Sequence, residues 1–157
     1  MNHDSRAEID FARRTILFCA GVATWIAVKP ATGWAQTPGL AAAIRAYTGG
    51  TKVTEGRVRF DIAELIDNGN TVPITIHVES PMTATNHVVA IAVFNEKNPE
   101  HDVARFQIGP RAGRAQVSTR MRLATSQKLV AIAKMNDGSH WSQSVDVIVT
   151  LAACIEL

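Results

Sequence analysis

Between residues 71 and 79 apolar side chains recur at every second position: Val72, Ile74, Ile76 and Val78 alternate with Pro73, Thr75, His77 and Glu79. A period of two puts successive side chains on opposite faces of an extended chain, so this stretch predicts a half-buried β-strand. The same mode runs through the rest of the sequence and predicts strands over 56–62, 71–79, 87–94, 103–108, 113–122, 127–135 and 140–151. Turn chemistry separates them at Asp67-Asn68-Gly69-Asn70, Ser80-Pro81, Asn98-Pro99, Gly109-Pro110 and Asp137-Gly138. About seven strands at this spacing, with no long helix between them, predict an all-β fold: two antiparallel sheets in an immunoglobulin-like sandwich, an open barrel being the alternative. Ahead of the strands, Thr37-Pro38 reads as an N-cap with proline at the first helical position. Leu40 to Tyr47 is rich in helix formers and Gly49-Gly50 stops the run, which predicts one short N-terminal helix.

The first 35 residues break this pattern. Arg13-Arg14 precedes an apolar run from Ile16 to Val28, followed by Lys29 and by small residues at Gly33 and Ala35. Charge, apolar run and small-residue end are the parts of an export signal, with the cut expected between Ala35 and Gln36. About 13 residues at 1.5 Å each cannot cross a hydrocarbon layer of about 30 Å. The arginine pair resembles a twin-arginine signal, with Ala12 in place of the usual hydroxyl residue and Ile16 in place of the usual phenylalanine. A general secretory signal and an uncleaved amphipathic anchor are the other readings of the same residues. Export to a bacterial periplasm is the expectation.

Composition narrows the function classes. The chain has 157 residues, 46% hydrophobic and 19% charged, the make-up of one core-stabilised domain, here 36–150, followed by a tail over 151–157. With 16 basic and 14 acidic side chains there is no excess of charge to recruit nucleic acid or a membrane surface. Two cysteines exclude a disulfide framework and a four-thiolate zinc site. Removal of the signal takes Cys19 with it and leaves about 122 residues with one cysteine, Cys154. A free thiol in an oxidising compartment is exposed to mixed disulfides and overoxidation, so its presence points to intermolecular pairing or a covalent role.

No segment after the signal carries a nucleotide-binding glycine loop, a HExxH pair or a nucleophile elbow. His77, His87, His101 and His140 lack the close spacing of a metal site, and solvated or hydrogen-bonded imidazoles are the plain expectation. Arg114, Arg120 and Arg122 fall opposite Ala115, Val117, Thr119 and Met121; they read as a solvated face that also suits anionic ligands or acidic partners. Met135 and Trp141 flank the Asp137-Gly138 turn and fit core packing better than a docking surface. Cys154 stands four residues past Thr150, where an extended tail would carry the thiol about 13 Å from the sheet. The opposite reading is that Leu151, Ile155 and Leu157 pack down and bury it.

Several segments in succession support the first reading: Asn68-Gly69-Asn70-Thr71-Val72-Pro73, Val78-Glu79-Ser80-Pro81-Met82-Thr83-Ala84-Thr85 and Phe94-Asn95-Glu96-Lys97-Asn98-Pro99. Gly113-Arg114-Ala115, Thr119-Arg120-Met121-Arg122-Leu123-Ala124 and Asp137-Gly138-Ser139 followed by Trp141 complete the set. Together, over about residues 40 to 154, they resemble SoxY, the sulfur-carrier family of bacterial thiosulfate oxidation. The resemblance implies an immunoglobulin-like sandwich paired with a SoxZ-like subunit, acting as a carrier and not an enzyme, with no cofactor and no metal. It implies that thiosulfate is joined oxidatively to a cysteine on a C-terminal arm by a c-type cytochrome enzyme, and that a sulfate-releasing hydrolase acts next. By position Cys154 is that cysteine, on an arm made of Leu151, Ala152, Ala153, Ile155 and Glu156. The family arm reads Gly-Gly-Cys-Gly-Gly, whereas here Ala152, Ala153, Ile155 and Glu156 replace every flanking glycine and Leu157 adds a residue. Glu156 and the terminal carboxylate put negative charge near the thiol, which opposes both its ionisation and the approach of an anion. The same changes allow a second expectation, a SoxY-like binding module that has lost its carrier role.

Overall fold

A computed structural model describes residues 39–153. Residues 1–38, with the expected export signal and the Thr37-Pro38 cap, lie outside the described residues, as do Cys154, Ile155, Glu156 and Leu157. The helix α1 runs Leu40–Thr48 and ends at Gly49, whose φ of 63° closes the last turn in the left-handed conformation that glycine adopts without strain. Nine strands follow: β1 Val53–Glu55, β2 Val58–Asp61, β3 Leu65–Ile66, β4 Val72–Val78, β5 Val88–Asn95, β6 Asp102–Gln107, β7 Ala115–Met121, β8 Gln127–Met135 and β9 His140–Val149.

One sheet has the order β1-β9-β8-β5-β6, with β3 added against β9; the other is β2-β4-β7. They face each other across a core that includes Ile74, Ile76, Ile91, Val93, Leu123 and Leu129, and the whole is an immunoglobulin-like sandwich. The alternation read in the sequence sets the packing directly: in β4, Val72, Ile74, Ile76 and Val78 are buried while the residues between them face outward or are half-buried. β8 differs, because Leu129 to Ala133 is buried without interruption. Its second face is covered by α1, where Leu40, Ala43, Ile44 and Tyr47 pack on Ala92, Phe94, Val130 and Ile132.

Two short strands lie outside the expected seven. The stretch 56–62 starts a strand too early: Gly56 at φ 118° and Arg57 at φ 55° break the chain into β1 and β2, which enter different sheets. β3 is only two residues long, below the length at which alternation is visible. Both β1 and β3 pair with β9 in parallel, so two parallel contacts are added to an otherwise antiparallel scheme. β9 itself ends at Val149, two residues before its expected end. Among the described residues no helix is long and apolar enough to cross a membrane.

Candidate functional site

Just past β9, Thr150 is tied to the end of β3 and the residue after it: its amide donates to the Ile66 carbonyl at 2.9 Å and its hydroxyl to the Asp67 carbonyl at 3.1 Å. The chain beyond it is still held. The Leu151 carbonyl accepts from the Gly69 amide at 2.8 Å, the Gly69 carbonyl accepts from Leu123 at 2.9 Å, and the Leu123 carbonyl accepts from Ala153 at 3.0 Å. Three backbone bonds therefore join the β3–β4 turn, the end of β7 and the C-terminal segment. Leu151 is 60% exposed and Ala152 is exposed, but Ala153 is buried at 5%. The tail is thus anchored up to Ala153, later than the departure at Leu151 expected from the strand pattern. Cys154 follows the anchor by one peptide unit.

Gly69 makes this crossing possible. A Cβ there would stand 2.4 Å from the Leu123 oxygen and 3.0 Å from the Ala153 nitrogen, so any side chain would push the two bonded segments apart. The other flank is held by side chains. Buried Asn95 donates to the Glu100 carbonyl at 2.9 Å and accepts from the Asn98 amide at 3.1 Å. Asn98 in turn donates to the Arg122 carbonyl at 2.8 Å and accepts from the Ala124 amide and from Gln127. The turn at 68–70, the loop at 95–98 and the run 119–124 were read in the sequence as separate motifs; in the fold they meet around the root of the tail. Gly69 and Leu123 were not singled out as site residues, because the demand on Gly69 comes from chain segments 54 and 84 positions away.

The remaining candidates disperse. His77 lies 3.1 Å from Asp61, His87 pairs with the Thr83 carbonyl at 3.0 Å and His101 with the Asn95 carbonyl at 2.9 Å. His140 is buried beneath Tyr47, and neither its ring nitrogens nor the Tyr47 hydroxyl has a hydrogen-bond partner among the described residues. Burial first, and then the Lys134 ammonium, lower its pKa below the ordinary 6.5. Among the described residues no three His, Cys, Asp or Glu side chains converge as a metal site. Met135 is buried in the core and half-buried Trp141 packs against it, with the Arg57 guanidinium 4.6 Å from the Trp141 ring centroid. Arg114, Arg120 and Arg122 are all exposed. The Asp137-Gly138-Ser139 turn and the 83–87 loop, joined through Asn136, sit at the far end of β8 from the tail.

The family model for the sulfur oxidation protein SoxY matches residues 44–154. Among solved structures, the sulfur carrier protein SoxY from Chlorobium limicola f thiosulfatophilum is similar at 29% identity with a TM-score of 0.58, covering 68% of this chain and 88% of that one. The T24K superoxide reductase (neelaredoxin) from Ignicoccus hospitalis matches at 19% identity and a TM-score of 0.53, over 66% of this chain and 86% of that one. The superoxide reductase from Nanoarchaeum equitans matches at 15% and 0.52, over 61% of this chain and all of that one. These two likenesses are of fold alone. No curated protein matches the chain in sequence.

Proposed function

The chain belongs to the SoxY family, whose members carry sulfur and do not catalyse its chemistry, and from that premise we propose that it is a periplasmic carrier holding sulfur intermediates on Cys154. The observation that supports this most is the root of the tail. Three family-like segments converge to anchor Ala153, and the next residue is the one cysteine left after signal removal. Residues 1–35 serve as the twin-arginine-type export signal and a SoxZ-like subunit as the partner. Cys154 is the covalent attachment point, and Ile155 and Glu156 travel with it.

Loading joins the Cys154 thiolate to the outer sulfur of thiosulfate. The new S–S bond leaves the pair two electrons poorer, and a c-type cytochrome partner takes them up. A hydrolase partner then adds water across the terminal S–S bond, releasing sulfate and two protons and leaving a persulfide anion on Cys154. The carrier contributes a nucleophile and a defined point of departure; oxidation and hydrolysis belong to the partners.

Intact mass of the mature protein, taken from the periplasm of thiosulfate-grown cells with and without reductant, tests the reading. A reductant-sensitive sulfur or sulfonate adduct is expected, and it is expected to be absent from Cys154→Ser. An unmodified thiol during active thiosulfate oxidation would overturn the carrier assignment and leave a SoxY-like binding module.

A further inference from the structure

Among the described residues, three large apolar side chains stand open to solvent, Leu65 at 60%, Ile148 at 61% and Leu151 at 60% exposure, and they are not scattered. All three lie at the corner where β3 meets the end of β9. Leu65 and Ile148 are register partners in that parallel pairing, so their side chains stand side by side on one face, while the next pair, Ile66 and Val149, packs on the core. Leu151 lies three positions past Ile148, where its carbonyl accepts from the Gly69 amide. The backbone beneath the group is fixed, the Ile148 amide donating to the Glu64 carbonyl at 2.7 Å and the Thr150 amide to the Ile66 carbonyl at 2.9 Å. Single exposed apolar residues are ordinary, but neighbouring ones on a rigid backbone mark a surface that another molecule covers with little ordering cost.

The rim of this corner is acidic. Glu64 and Asp67 bracket β3, and Asp146 stands two residues before Ile148 on the same face of β9; all three are exposed. Among the described residues Lys128, 3.9 Å from Asp146, is the one cation paired with any of them. We infer that Leu65 and Ile148, with Leu151 at their end, form a docking surface for a partner protein whose own face is apolar at its centre and basic at its rim. Charge selects this occupant over two others. A second copy would set six carboxylates against two lysines, a juxtaposition of like charge that opposes association. Residues 154–157 of the chain itself bring one acidic side chain and no basic one. The inference goes beyond the carrier reading and does not need it, since docking here requires no sulfur on the chain.

A photoreactive benzophenone side chain placed at residue 65 or at residue 148, both open enough to take it, tests this in the cells that make the protein. Residue 116, exposed on β7 in the other sheet, is the control. Positions 65 and 148 are expected to crosslink to the same partner protein, through a peptide with Lys or Arg beside apolar residues, and position 116 is not. With that partner purified, Leu65→Ser with Ile148→Ser is expected to weaken binding about tenfold and to leave the unfolding midpoint unchanged, because both side chains are already in water. Glu64→Gln, Asp67→Asn and Asp146→Asn together are expected to weaken it about tenfold at about 0.01 M salt and hardly at about 1 M, where the Debye length has fallen from about 30 Å to about 3 Å. Crosslinks that stay within the chain, join two copies or reach a face without basic residues would overturn the inference. So would no crosslink from either site, equal labelling from position 116, or binding that ignores both sets of substitutions. Each of these outcomes leaves the intact-mass test of Cys154 untouched.

Discussion

At Gly69 the requirement is for no side chain at all. Its φ is not in the left-handed region; the demand comes from the 2.4 Å that would separate a Cβ from the Leu123 oxygen. Gly69→Ala is expected to destabilise the protein by about 1–3 kcal/mol, as overpacking does, and to speed amide exchange at Ala153 more than at core positions such as Ile91. Equal protection at Ala153 in both proteins would show that the three-way backbone junction survives a methyl group. His140 is a second residue whose setting sequence could not reveal. Its folded pKa lies below the ordinary 6.5, so the native state binds fewer protons than the unfolded chain in the window between the two values. Its contribution is complete above about pH 6.5 and is lost as pH falls through that window toward the folded value. Urea denaturation from pH 8 to 5 is expected to show this decline, and His140→Phe to remove that component of it.

Among elements, β8 and α1 are bound to each other's fate. β8 is buried on both faces because α1 covers the side turned away from the second sheet, and Phe94 on neighbouring β5 is the largest fully buried side chain in that contact, its ring centroid 5.6 Å from that of Tyr47. Phe94→Ala is expected to cost about 3–5 kcal/mol in equilibrium unfolding and to loosen α1 selectively, measured as faster amide exchange over residues 43–48. Loss of stability with α1 still fully protected would show that the helix is held by something other than this contact. The alternating strands were legible because one face is wet, as in β4. The run from Leu129 to Ala133 shows no alternation, and the sequence reading placed a strand there between turn signals without indicating that a helix covers it. The break at Gly56-Arg57 and the two-residue β3 escaped the pattern for a different reason: strands that short are defined by pairing with β9, a partner more than 80 positions away in the chain.

For the whole molecule, the sandwich separates two ends of unlike construction. One end carries the 83–87 loop and the Asp137 turn, closed by local side-chain bonds; the other gathers Gly69, Asn95, Asn98, Arg122 and Leu123 around the tail. The chain is still hydrogen-bonded at Ala153, two residues past the Leu151 at which the strand pattern let it leave the sheet. Inserting Gly-Gly between Ala153 and Cys154 is therefore expected to raise the rate of Cys154 alkylation severalfold while leaving the unfolding midpoint unchanged; an unaltered rate would mean that the anchor does not limit access to the thiol.

The fold class, the helix and its glycine stop, the main strands and the family all followed from sequence, because each is written in local periodicity, turn chemistry or ordered motifs. Cys154 as the candidate residue is an expectation of the sequence, as the one thiol that would remain after removal of the expected signal. Only the tertiary structure decided that the chain is still tied to the sheets at Ala153, why residue 69 carries no side chain, and that the Asn95-Asn98 loop braces the end of β7 beside it. Those facts depend on backbone groups from three distant segments meeting at hydrogen-bonding distance, and no window of sequence contains more than one of them.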